Sequence, residues 1–117
     1  MKWTADVPNT FYVFSLIDPG ETQTILIKFG RTQNVDPLKR YPTAELKQYQ
    51  MKLLLNLRGK LILMTQIENY WKEQAKLNKW FVEFSQKDFH GKTECIKIDD
   101  NQLEQLIQTS KQMAQQS

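Results

Sequence analysis

A chain of 117 residues, 40% hydrophobic and 25% charged, can bury one core without staples and is too apolar for disorder. The single cysteine, Cys95, excludes an internal disulfide, and with His90 as sole histidine it excludes a Cys-based structural zinc site. No apolar run approaches the roughly 20 residues of a membrane span, and residues 1–6 carry no signal-like apolar segment, so the expectation is a cytoplasmic protein without a membrane partner.

Residues 11–17, Phe-Tyr-Val-Phe-Ser-Leu-Ile, are aromatic and β-branched on both faces and predict a strand covered on both sides. Asp18-Pro19-Gly20 punctuates a turn, and residues 24–29 predict a second strand stopped by Gly30, the two forming a hairpin. Asp36 is a good N-cap and Pro37 suits a first helical position, so a helix is expected there. Pro42 interrupts it, and Thr43 is expected to cap a second piece through Leu46 and Tyr49.

Residues 51–57 predict a third strand ended by Gly59. From Lys60 to Leu77 the spacing is helical, with Leu61, Met64, Glu68, Trp71 and Ala75 on one stripe. Residues 80–84 and 94–98 suggest further short strands. Asp99 or Asp100 caps a last helix, about 99–113, whose apolar positions are Leu103, Leu106, Ile107 and Met113. The expected fold is a single α/β (α+β) domain over residues 1–117, with a small, mostly antiparallel central sheet of about three strands flanked by helices.

Charge is unevenly spread. Between Lys28 and Lys60 stand eight basic and two acidic residues, +6 in sum against +3 for the whole chain, so the remainder carries −3. Such a segment suits phosphate binding, as it also suits a solvated lysine-rich face.

Two charges are out of place. Glu68 lies on a stripe that should face the core, where a carboxylate is costly unless paired, hydrogen-bonded or bound to a cation. One glutamate with waters and substrate oxygens is a reasonable Mg²⁺ site; an edge glutamate bridged to a lysine is the plainer alternative. Lys28 interrupts an apolar strand before Gly30-Arg31-Thr32. A lysine there can simply guard a sheet edge. If the hairpin sets Tyr12 opposite Lys28, phenol and ammonium project from one face.

Other candidates read more plainly. His90 falls in an exposed turn, and Cys95 is a small buried apolar residue. Trp80 and Phe81 belong to the core or stack on bases. The last helix packs on the domain or forms a dimer face.

The order Phe11-Tyr12-Val13, Lys28-Phe29-Gly30-Arg31-Thr32, Arg40 and Glu68-Asn69-Tyr70-Trp71 resembles the GIY-YIG nuclease family across residues 11–84. Tyr12 matches the tyrosine of the first motif, and Lys28-Phe29-Gly30 the second in its lysine-bearing variant. Arg40 falls where the family has its helix arginine and Glu68 where it has its metal-binding glutamate. Thr10 begins the first motif without the family's glycine. Tyr41 or Tyr49 is the candidate for a further helix residue, and Asn78 for a late asparagine.

The resemblance implies a metal-dependent endonuclease with a GIY-YIG-like core. Glu68 would hold one Mg²⁺ or Mn²⁺, Arg40 would bind the scissile phosphate, and Tyr12 would be the general base, its phenol pKa lowered from about 10 by Lys28. Arg31, Thr32, Lys39 and Lys47 would bind substrate. The partner would be nucleic acid, DNA rather than RNA, with a protein partner for targeting as an option and a monomer or homodimer as the state. The alternative is a catalytically inactive module of the same kind that binds nucleic acid or protein.

Overall fold

The computed structural model describes residues 7–19, 25–83 and 94–115, with the side chains of Arg40 and Glu94 left aside. The elements are β1 (Pro8–Ile17), β2 (Ile25–Thr32), a 3-10 turn (Pro37–Arg40), α1 (Thr43–Gln48), β3 (Lys52–Lys60), α2 (Leu61–Leu77), β4 (Phe81–Glu83), β5 (Glu94–Ile96) and α3 (Asp100–Ala114). All strand pairs are antiparallel, in the order β3-β1-β2-β5-β4. Among the described residues the sheet therefore has five strands, where about three were expected. The two short segments near residues 80 and 95 pair with each other and add to the free edge of β2.

β1 is central because it is apolar on both sides. Phe11 and Val13 turn to one face and meet Met64, Ile67, Trp71 and Ala75 of α2 and Leu106 of α3. Tyr12, Phe14 and Leu16 turn to the other and meet Tyr41, Tyr49 and Met51 around the 3-10 turn and α1. Phe11, Val13, Phe14 and Leu16 have no exposed surface. Each such side chain contributes on the order of 1.5–3 kcal/mol of burial.

The hairpin register differs from the sequence expectation. Tyr12 stands opposite Gly30, and Lys28 opposite Phe14. A shift of two residues preserves the alternation, so Tyr12 and Lys28 still share a face as diagonal neighbours. The second strand also continues through Gly30 to Thr32 instead of stopping there, because a glycine keeps both ladder groups and merely lacks a side chain. Gly59 likewise lies inside β3, where a Cβ would come within 3.2 Å of the Met64 methyl group.

The helix ends follow local chemistry with two departures. The segment after Asp36 is one 3-10 turn, not an α-helix, and the Asp36 carboxylate accepts from the Leu38 N–H at 3.1 Å. Pro42, not Thr43, occupies the N-cap position of α1, without a side-chain cap. Asp99 caps α3 in a reciprocal box with Gln102, at 2.7 and 2.9 Å. Leu106 is fully buried, and Leu103, Ile107 and Met113 pack against the same core, so the apolar stripe of α3 docks on the domain. Trp71 Nε1 donates to the buried Ser110 Oγ at 2.8 Å and fixes that docking.

α2 ends in a Schellman turn. The Trp80 N–H reaches the Ala75 carbonyl at 2.9 Å and the Lys79 N–H reaches Lys76 at 3.3 Å, which places Lys79 at φ 56°. A residue with a Cβ costs about 1 kcal/mol in that left-handed region. Lys79→Gly should therefore stabilise the protein by up to about 1 kcal/mol, partly offset by added unfolded-chain entropy. The expected readout is a higher urea midpoint at unchanged slope.

Candidate functional site

β5 meets β2 in register at one pair, Ile27↔Ile96. A cavity of about 440 Å³ opens beside this junction, with Lys28, Phe29, Gly30 and Arg31 of β2 and Cys95 and Ile96 of β5 among its lining residues. From the β1-facing side Tyr12, Lys28, Gly30 and Tyr41 line it. Arg31 of β2 and Glu68, Lys72 and Lys76 of α2 line it from the helix-facing side. Residues of the two sheet faces thus share one concavity beside the β2–β5 junction. A sequence reading limited to one face does not anticipate this.

Gly30 is what admits the phenol. A Cβ built there would stand 2.7 Å from Tyr12 Oη and 3.0 Å from the ring carbon bearing it, so the ring lies directly across the glycine. Phe14 stacks beside Tyr12 at a centroid distance of 5.6 Å, and Tyr41 packs edge-on against Phe14 at 5.5 Å. The Tyr12 ring is 4% exposed, held by this packing with its hydroxyl end at the cavity. Lys28 is half-buried on the same face.

Glu68 keeps only 12% of its side chain exposed, as its place on the apolar stripe of α2 requires. Its charge is met by Arg31, whose Nε donates to Oε1 at 2.9 Å. Lys72 Nζ stands 3.8 Å from the same oxygen. The plainer sequence alternative, a bridge to a lysine, is therefore realised chiefly by an arginine from the neighbouring strand.

Four cationic side chains and one carboxylate line the cavity. That balance suits an anion with several oxygens. For a metal, Glu68 is the sole carboxylate among the described lining residues, and no cluster of three His, Cys, Asp or Glu occurs among the described residues. Mg²⁺ tolerates one carboxylate if waters and phosphate oxygens supply the rest. A carboxylate has about four lone-pair directions, so a single guanidinium N–H does not exhaust it. The donor set fits a cation shared with a bound phosphate, held by Glu68.

The other expected residues are placed as follows. Arg40 closes the 3-10 turn immediately before Tyr41, and its side chain lies outside the described residues. Tyr49 is buried in the second core and does not line the cavity. Lys39 and Lys47 are exposed on the 3-10 turn and α1, and Thr32 Oγ1 accepts from the Asn34 N–H at 3.2 Å; none of the three lines the cavity. Asn78 caps α2 beside a separate, smaller depression of about 230 Å³. His90 lies outside the described residues. Cys95 is 1% exposed, in the second core.

Sequence reasoning missed two contributors and misjudged a third. Lys72 and Lys76 follow Glu68 at four-residue steps, a spacing that was legible once Glu68 was singled out. Arg58, one of the eight basic residues, is a brace: it donates to Thr10 Oγ1 at 2.7 Å and to the carbonyls of Gln33 and Asn34 at 3.0 and 3.4 Å. With Asn56 donating to the Val35 carbonyl at 3.3 Å, it ties the loop before the 3-10 turn to β3.

No family model, curated protein or solved structure matches the chain.

Gly30→Ala should force the Tyr12 ring to move and destabilise by about 1–3 kcal/mol, the usual range for overpacking. In a Tyr12→Phe background the closest clash is gone, so the penalty should shrink by about 1 kcal/mol in a double-mutant cycle. Equal penalties in the two backgrounds would mean that the hydroxyl does not lie over the glycine.

Proposed function

We propose that this chain is a metal-assisted endonuclease that hydrolyses phosphodiester bonds, of GIY-YIG type, with DNA as the favoured polymer. The observation that carries the reading is the shared lining of one cavity by Tyr12, Lys28, Arg31 and Glu68, residues separated by up to 56 positions along the chain.

In this reading Lys28 and Arg31 gather the phosphate and oppose the negative charge that builds on its non-bridging oxygens. Arg40, adjoining the cavity-lining Tyr41, adds a second guanidinium to the same task. Tyr12 accepts the proton of the attacking water as the new P–O bond forms and the bond to the leaving oxygen breaks. Lys28, its diagonal neighbour on the same face, favours the phenolate through its positive charge. Glu68 would hold Mg²⁺ or Mn²⁺, which when bound supplies charge stabilisation of the leaving oxygen. Packing by Phe14 and Tyr41 fixes the phenol, so little reorganisation is needed at the moment of reaction.

The Arg31–Glu68 ion pair favours a second reading, binding without hydrolysis, because a guanidinium already answers the carboxylate. One assay separates the two. Plasmid and single-stranded DNA are incubated with Mg²⁺, Mn²⁺ or EDTA, beside Glu68→Ala and Tyr12→Phe variants. The nuclease reading expects metal-dependent cutting, abolished by EDTA and lowered about 10²–10⁴-fold by Tyr12→Phe, the usual weight of a general base. Binding that weakens steeply with salt and never leads to cutting would support the second reading. Cutting that survives both substitutions unchanged would remove the site from the reaction.

A further inference from the structure

Lys72 and Lys76 lie beyond the groups used in the proposed hydrolysis, yet they line the same cavity. On α2 they follow Glu68 at four-residue steps, so the three side chains rise along one flank of the helix. Each step advances about 6 Å along the axis, of the order of the separation between adjacent phosphates in a nucleic-acid strand. Among the described residues neither ammonium makes an ion pair within hydrogen-bond length. Arg31 takes Glu68 Oε1 at 2.9 Å, whereas Lys72 stands at 3.8 Å with 57% of its side chain exposed, beyond hydrogen-bond length. Lys76 is exposed on the last turn of α2.

We propose that Lys72 and Lys76 form a phosphate track. The strand held at the reactive phosphodiester runs on along α2, and its next backbone phosphates sit on Lys72 and then Lys76. The proposal rests on the nucleic-acid reading of the cavity and adds to it a direction and two contacts. A lysine contributes a point charge without base recognition, so the track fixes the register of the strand and tolerates any sequence.

The test measures equilibrium binding of short fluorescent single-stranded oligonucleotides in EDTA, so that cutting does not interfere, over a series of salt concentrations. For single strands each phosphate contact contributes about 0.7 to the slope of log affinity against log salt. Lys72→Gln and Lys76→Gln should each lower the slope by about 0.7, and the double variant by about 1.4. Lys111→Gln, on the exposed side of α3, should leave it unchanged. Replacing single phosphates by neutral methylphosphonates should erase the effect of Lys72→Gln at one position and of Lys76→Gln at the adjacent position.

Repeating Lys72→Gln in a Glu68→Gln background separates a phosphate contact from support of the carboxylate, since the slope change should persist there. Wild-type slopes in the double variant, with wild-type binding and cutting intact, would overturn the track and leave the nuclease reading standing. Failure of the wild-type chain to bind any oligonucleotide would overturn both.

Discussion

β1 must be covered on two faces at once, and most of the architecture follows from that. Its odd-numbered side chains, Phe11 and Val13, require the α2 and α3 layer, while Tyr12, Phe14 and Leu16 require the 3-10 turn and α1. A strand with apolar groups on both sides has no solvent-facing register to fall into, so β2 and β3 pair on its two edges. Once β2 is fixed, the short β5 pairs with it at Ile27, and the cavity lies beside that junction.

Placing chemistry beside this strand junction has an electrostatic effect. Side chains from both sheet faces reach the same volume: a phenol and an ammonium from one side, and a guanidinium, a carboxylate and two further ammonium groups from the other. The carboxylate is the costly member, being nearly buried, and Arg31 offsets that cost from the adjacent strand. The cations then outnumber the carboxylate, which leaves the cavity complementary to an anion before any ligand is present. Packing and charge thus act on the same helix, since α2 supplies both the core stripe and the cavity-lining flank.

Position along the sequence was a poor guide to which charges matter. Of the basic residues between Lys28 and Lys60, Arg58 braces a loop through backbone carbonyls, and Lys39 and Lys47 stand in solvent away from the cavity. Lys72 and Lys76 lie outside that segment altogether and line the cavity. Charge density along a chain does not map onto charge density in space when a sheet edge and a later helix are folded together. The helix stripe was more telling, because Glu68 among Met64, Trp71 and Ala75 violates its own pattern.

By itself the sequence determined the main strands, the long helix with its out-of-place carboxylate and the capped last helix. These depend on local periodicity and on the alternation of a strand, which neighbouring residues alone establish. The tertiary structure decided the register that lays Tyr12 over Gly30 and sets Lys28 on the same face, the joining of the two short strands to β2, the pairing of Arg31 with Glu68 and the recruitment of Lys72 and Lys76. Each of those is a meeting of groups distant along the chain. What selects such meetings is the joint packing of both sheet faces, which no local pattern contains.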